Sequence, residues 1–183
     1  MSVFQAKWVV LRIISKTEKD FLYLVFFENY GKLVVMKKKK SREKALDIGY
    51  MFNCEISTRE GRDIHTMHNI KILHYFDYKD RPFSEIENFM KLLSFVNKNL
   101  PEGNPIFEVF EWLELVLKKE KKLSEEKIIL AKLKFCDIFG ELWETHKVEV
   151  VVKILKFIHT HSMKDVLKLK DIEQGVLEEL KDI

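Results

Sequence analysis

Apolar positions recur every second residue through the first 76 residues of the chain and every third or fourth residue after that. Between Ala6 and Ile14, Trp8, Val10 and Ile14 fall on one side of an extended chain and Val9, Leu11 and Ile13 on the other. Asp20 to Glu28 has the same character, with Phe21, Tyr23, Val25 and Phe27 alternating with Leu22, Leu24 and Phe26. A strand that is apolar on both sides sits between a core and a further layer. Ser15 to Lys19 forms a polar connection, and Asn29-Tyr30-Gly31 closes the next hairpin, with Gly31 free to take positive φ. Leu33 to Met36, Tyr50 to Thr58 and Ile64 to Phe76 supply three more strands, the last two separated by the turn Arg59 to Asp63.

Five strands at regular spacing with no long helix among them predict a small antiparallel barrel rather than βαβ units. That size and pattern suit an OB-fold, which offers a curved face and its loops to single strands of nucleic acid.

Near Asp80-Arg81-Pro82 the period lengthens, and Pro82 suits the opening turn of a helix. Ile86, Phe89, Met90, Leu93 and Val96 form one stripe, and Phe107, Phe110, Trp112, Leu113, Val116 and Leu117 a second. Ser124 reads as an N-cap for a helix carrying Ile128, Leu130, Leu133, Phe135, Ile138 and Phe139, with Gly140 as the residue just past its end. Val148 to His161, Met163 to Leu169 and Ile172 to Leu180 complete about six helices. The fold class is therefore α+β in two domains: residues 1–80 an OB-fold-like five-stranded barrel, residues 81–183 all helical.

With 46% hydrophobic and 33% charged residues, the composition is that of a globular protein with little room for disorder. No apolar run is long enough to span a membrane, and the first residues lack the basic segment and cleavage site of a signal peptide. The two cysteines, Cys54 and Cys136, are far apart and form no CxxC, which suits a reduced, cytoplasmic protein.

The net charge of +3 conceals an asymmetry: residues 1–80 carry 15 Lys and Arg against 10 Asp and Glu, a balance of +5, and the remainder carries 17 against 19, a balance of −2. An anionic partner is therefore sought in the first half. There the strand after Gly31 runs into Lys37, Lys38, Lys39 and Lys40, then Ser41, Arg42 and Lys44. Burying so many cations is costly, so the loop is expected in water or against an anion.

Other chemistry is sparse. His159 and His161 are two apart on a helix and point away from each other, His65 and His68 fall on opposite sides of a strand, and no metal site is expected. Glu125-Glu126 and Glu178-Glu179 lie on polar helix faces. No GxSxG, HExxH or phosphate-gripping glycine motif occurs, so neither an enzyme nor a small-molecule substrate is expected. Phe21, Tyr23, Phe26, Phe27 and Tyr30 would stack on bases only if they faced outward; the commoner fate of such residues is the core.

The order of these phrases resembles the RecO family of bacterial recombination mediators. The strand ending at Glu28, Gly31, Lys32 and Leu33 is followed by the basic stretch Lys37 to Lys40 with Ser41 and Arg42, then by the turn Gly61, Arg62, Asp63 and Ile64. Phe107 to Leu113, Lys132 to Phe135 with Phe139-Gly140, and Ile154 to Lys170 are similar to successive helices of that family's helical domain. Two departures stand out: the four-cysteine zinc insertion is missing after Gly140, and the basic loop lacks the glycine after its first lysine. No zinc or other cofactor is expected.

The resemblance implies binding of single- and double-stranded DNA, annealing of complementary strands and loading of recombinase, with RecR-like and single-stranded-DNA-binding proteins as partners in a bacterial, nucleoid-associated setting. Lys32, Lys37, Lys38, Lys39, Lys40, Arg42 and Lys44 would contact phosphates, so affinity would come from released counterions rather than sequence. The rival readings are an OB-type module acting on RNA and a helical protein-interaction adaptor whose barrel is only a scaffold.

Overall fold

A computed structural model describes residues 2–39, 45–58, 61, 63–79, 81–118, 123–142 and 146–183, with backbone only at 2–4 and 118. Five strands, β1 (Ser2–Lys16), β2 (Asp20–Phe27), β3 (Gly31–Lys38), β4 (Met51–Thr58) and β5 (Ile64–His74), form a closed barrel in the order β1-β2-β3-β5-β4. The OB-fold-like barrel expected from the alternation is therefore present. It is not wholly antiparallel, because strand direction cannot alternate around a closed ring of five. The odd pair is β3 with β5, which run parallel through Val34↔Ile64, Val35↔His65 and Met36↔Thr66.

The interior is filled by side chains from all five strands, among them Trp8, Val10, Tyr23, Val25, Phe27, Val35, Phe52, Cys54, Ile56 and Met67. Trp8 stacks on Phe52 with ring centres 4.4 Å apart. Strict alternation would put Ile14 beside Trp8 and Val10, but β1 carries register shifts against β2 between Val10 and Arg12 and again between Ile13 and Ser15. Each extra residue reverses the inside-outside phase. Ile13 consequently packs on the core and Ile14 is 42% exposed.

Six helices follow among the described residues: α1 (Phe83–Asn99), α2 (Phe107–Lys118), α3 (Glu125–Ile138), α4 (Glu149–Thr160), α5 (Met163–Val166) and α6 (Gln174–Lys181). The helices are divided between two compact units. One compact unit is Met1–Asp80 with Leu93–Glu120, and the other is Arg81–Leu92 with Lys121–Ile183, so α1 is shared between them. In the first unit α2 covers the outer face of the barrel. Phe26, on the side of β2 away from the core, meets Phe110 at 5.7 Å, and Lys7 of β1 pairs with Glu114 at 3.5 Å. That layer explains why β2 is apolar on both sides. Phe107, expected on the buried stripe of α2, is 53% exposed, and on α1 Leu92 is buried where Met90 was expected.

The second unit is organised on α3, whose Ile129, Leu130 and Leu133 pack with Val151, Leu155 and Ile158 of α4, Val166 of α5 and Leu177 and Leu180 of α6. Its ends are set as the sequence indicates. Ser124 accepts from the Lys127 amide, while Gly140, at φ +73°, donates to Asp137 O and Glu141 donates to Cys136 O. That pair of bonds satisfies the last carbonyls and ends the helix. Lys134, buried within the helix, donates to Asp137 at 2.7 Å and to the Ile158 carbonyl at 2.9 Å.

Gly31 fastens the barrel to the connection between α1 and α2. Its φ is +71°, and a Cβ there would lie 2.5 Å from the backbone oxygen of Asn104. Gly103 donates to Lys32 O at 3.4 Å, and Lys32 and Glu102 form a parallel bridge, so this connection lies along the part of β3 that β5 does not reach. Gly61 also has positive φ, at +73°, but faces open space. Replacing either glycine by alanine carries the left-handed backbone cost of about 1 kcal/mol. Gly31→Ala adds a backbone collision, so its thermal midpoint should fall several degrees below that of Gly61→Ala; equal midpoints would contradict the close approach.

Candidate nucleic-acid interface

β3 continues through the first two lysines of the basic run because it is paired with the start of β2, Phe21 opposite Lys37 and Asp20 opposite Lys38. Pairing forces their side chains to opposite faces. Lys37 takes the inward phase of Val35 and is 8% exposed, whereas Lys38 and Lys39 are exposed. Lys37 thus does not leave the strand with Lys38 and Lys39. Lys37 is buried at the rim, and Lys40, Arg42 and Lys44 lie outside the described residues.

Two further lysines arrive at the same end from elsewhere in the sequence. Lys16, the last residue of β1, is opposite Phe21, which in turn is opposite Lys37, so one row crosses all three strands. Lys19, in the turn between β1 and β2, accepts at its carbonyl from the Lys39 amide at 2.8 Å. Lys16, Lys19, Lys38 and Lys39 are all exposed. Glu18 and Asp20 share this end, leaving five lysines against two carboxylates and a local surplus of three positive charges. Lys39 places its ammonium 5.7 Å from the centre of the Phe21 ring, close enough for a cation–π contact that orders the stem while the charge stays accessible.

The signal for Lys16 and Lys19 was the polar hairpin between two apolar strands. Its lysines gain meaning only once the pairing of β1, β2 and β3 is known.

Lys32 does not belong to this surface. It stands at the other end of β3, six residues from Lys38 and about 20 Å away along an extended strand. Its ammonium donates to the Asn97 carbonyl at 3.1 Å. Asn97 is among the last four residues of α1, whose carbonyls have no partner within the helix, and a cation there also faces the negative end of the helix dipole. Lys32 is thus a helix cap.

The aromatic residues of β2 are not a stacking platform. Phe21, Tyr23, Phe26 and Phe27 are buried, and Tyr30, which is exposed, lies in the hairpin at the far end of β3 with its ring edge-on to Phe27 at 6.4 Å. Tyr23 instead uses its hydroxyl to accept from the Leu46 amide at 3.0 Å, which draws the segment after the basic run over the barrel mouth.

Other polar groups are occupied structurally. His159 Nδ1 lies 2.7 Å from Asp137, and His161 stacks on Phe157 at 3.8 Å. Burial pushes the Cys54 thiol up to about 12 and also raises that of Cys136, so neither is poised as a nucleophile. Among the described residues no group of His, Cys, Asp and Glu is arranged to hold a metal ion, and no helix is long and apolar enough to cross a membrane. No protein-family model matches the chain, and no curated protein matches it.

The split of the lysines into a rim group and a helix cap has a direct test. Lys32→Met should lower the stability of the protein by about 1 kcal/mol, the worth of a hydrogen bond made by a charged group at a helix end. It should leave the affinity for a polyanion such as heparin unchanged. Loss of heparin affinity with unaltered melting would reverse the assignment.

Proposed function

We propose that this chain binds nucleic acid by charge in the manner of a RecO-like DNA repair and recombination mediator, holding single- and double-stranded DNA and annealing complementary strands. The observation that supports the reading is the convergence of Lys16 and Lys19 from one hairpin with Lys38 and Lys39 from the end of β3, on a barrel whose architecture commonly serves single strands. The sequence continues from there into Lys40, Arg42 and Lys44, which would extend the same positive field.

Ammonium groups on long stems suit phosphates, whose spacing along a flexible single strand varies. They are point charges without a fixed fork and do not discriminate base edges. Binding of this kind releases condensed counterions, so its affinity is sequence-independent and falls steeply with salt. Cations that engage two strands at once reduce the repulsion between them, which is how annealing is promoted without any bond being made or broken. The implied partners, RecR-like and single-stranded-DNA-binding proteins, belong to this reading through the family resemblance.

The test is the salt dependence of binding to a labelled single-stranded oligonucleotide. With Lys16, Lys19, Lys38 and Lys39 all replaced by alanine, the slope of log affinity against log salt should become shallower by about three if each lysine engages one phosphate. The annealing rate of complementary oligonucleotides should fall in parallel. Unchanged affinity and slope would refute the proposal.

A further inference from the structure

The barrel carries a second surface feature, of opposite polarity, where β5 ends and β4 begins. Tyr75, the first residue after β5, is 52% exposed, and its ring centre lies 5.4 Å from that of Tyr50 with the planes 38° apart. Tyr50 continues to Phe52 at 6.0 Å, and Phe52 to Trp8 at 4.4 Å, so the exposed ring is the outer rung of an aromatic ladder anchored in the core. Such anchoring leaves little side-chain freedom to lose on binding.

Two acidic residues belong to the same stretch: Asp47, whose backbone carbonyl accepts from the Tyr50 amide at 3.3 Å, and Asp77, two residues after Tyr75. Asp47 accepts from the Ile48 amide at 2.9 Å and Asp77 from the Lys79 amide at 3.1 Å, and both residues are exposed. The Tyr78 hydroxyl donates to the Ile48 carbonyl at 2.9 Å, tying the segment after β5 to the one that carries Asp47. The tyrosines register the negative field: burial first, then Asp47, Tyr75 and Asp77, raises Tyr50, and burial followed by Asp47 and Tyr50 pushes Tyr78 up to about 12.

We infer that Tyr50 and Tyr75, with Asp47 and Asp77, form a recognition site for a cationic side chain, an arginine presented by a protein partner. A π face beside carboxylates attracts a cation twice over, through the ring quadrupole and through charge. A guanidinium satisfies both demands, since it lies flat on a ring and forks to a carboxylate. A phosphate backbone is repelled by the same carboxylates, which separates this site from the lysine rim.

The experiment uses the full chain labelled with 13C at tyrosine, titrated with the peptide Gly-Arg-Gly-Arg-Gly and with its glutamine counterpart, read by NMR. The arginine peptide should give saturable shifts at Tyr50 and Tyr75, and the glutamine peptide none. Tyr75→Ala, and Asp47→Asn with Asp77→Asn, should each weaken binding about threefold or more, and Tyr75→Phe should retain it. Tyr75 is outside the core, and an unchanged melting curve for the alanine variant would show that the fold is intact. Absence of saturable shifts, equal shifts with both peptides, or shifts produced only by an oligothymidylate and lost in Tyr75→Ala would overturn the inference, the last in favour of base stacking.

Discussion

Closure of a five-membered ring of strands governs how this protein presents its charge. Because direction cannot alternate all the way round, at least one adjacent pair must run parallel, and in this barrel it is β3 with β5, from Val34↔Ile64 to Met36↔Thr66. With β3 held there, its other edge aligns with β2 so that Lys37 and Lys38 fall opposite Phe21 and Asp20. The end of β1 then lies one strand further on, at Lys16. The lysine rim is thus a consequence of register. A slip of one residue in β3 would turn Val35 out of the core and exchange the inward Lys37 with the outward Lys38, at the cost of the apolar packing that Val35 provides.

The aromatic residues are consumed by the same closure. Trp8, Phe27, Phe52 and Tyr23 fill the interior, and Phe26 is covered by Phe110 of α2, so the strands that might have stacked on bases have no free ring to offer. What is exposed at this end is mainly ammonium on long stems, with Glu18 the acidic exception. That division of labour, apolar bulk inside and point charges at the rim, suits a partner recognised by its backbone rather than its letters. At the end of β5 the balance is reversed, with exposed tyrosine beside carboxylate.

Much of this architecture was legible in the residues. Period-two apolar runs marked the strands, Gly31 the hairpin, and Ser124 and Gly140 the limits of α3, because each of those signals acts through local backbone chemistry. The misreadings share a cause, which is dependence on pairing. The inward turn of Ile13 needed the bulges in β1, and the burial of Lys37 needed β2 alongside it. The capping role of Lys32 needed the end of α1, 65 residues away in the sequence. For the same reason the described lysines of a basic stretch read as one patch resolve into an inward one, two exposed ones and a remote cap, while Lys16 and Lys19, unremarkable in the sequence, join the surface.

The most direct measurement of the central claim is lysine footprinting. Acetylation of the folded protein with and without a saturating single-stranded oligonucleotide, read residue by residue by mass spectrometry, should show protection of Lys16, Lys19, Lys38 and Lys39. The exposed Lys71 of β5 and Lys98 of α1 should react equally in both states. Protection spread evenly over the surface, or confined to lysines away from the β1–β2–β3 rim, would contradict the account.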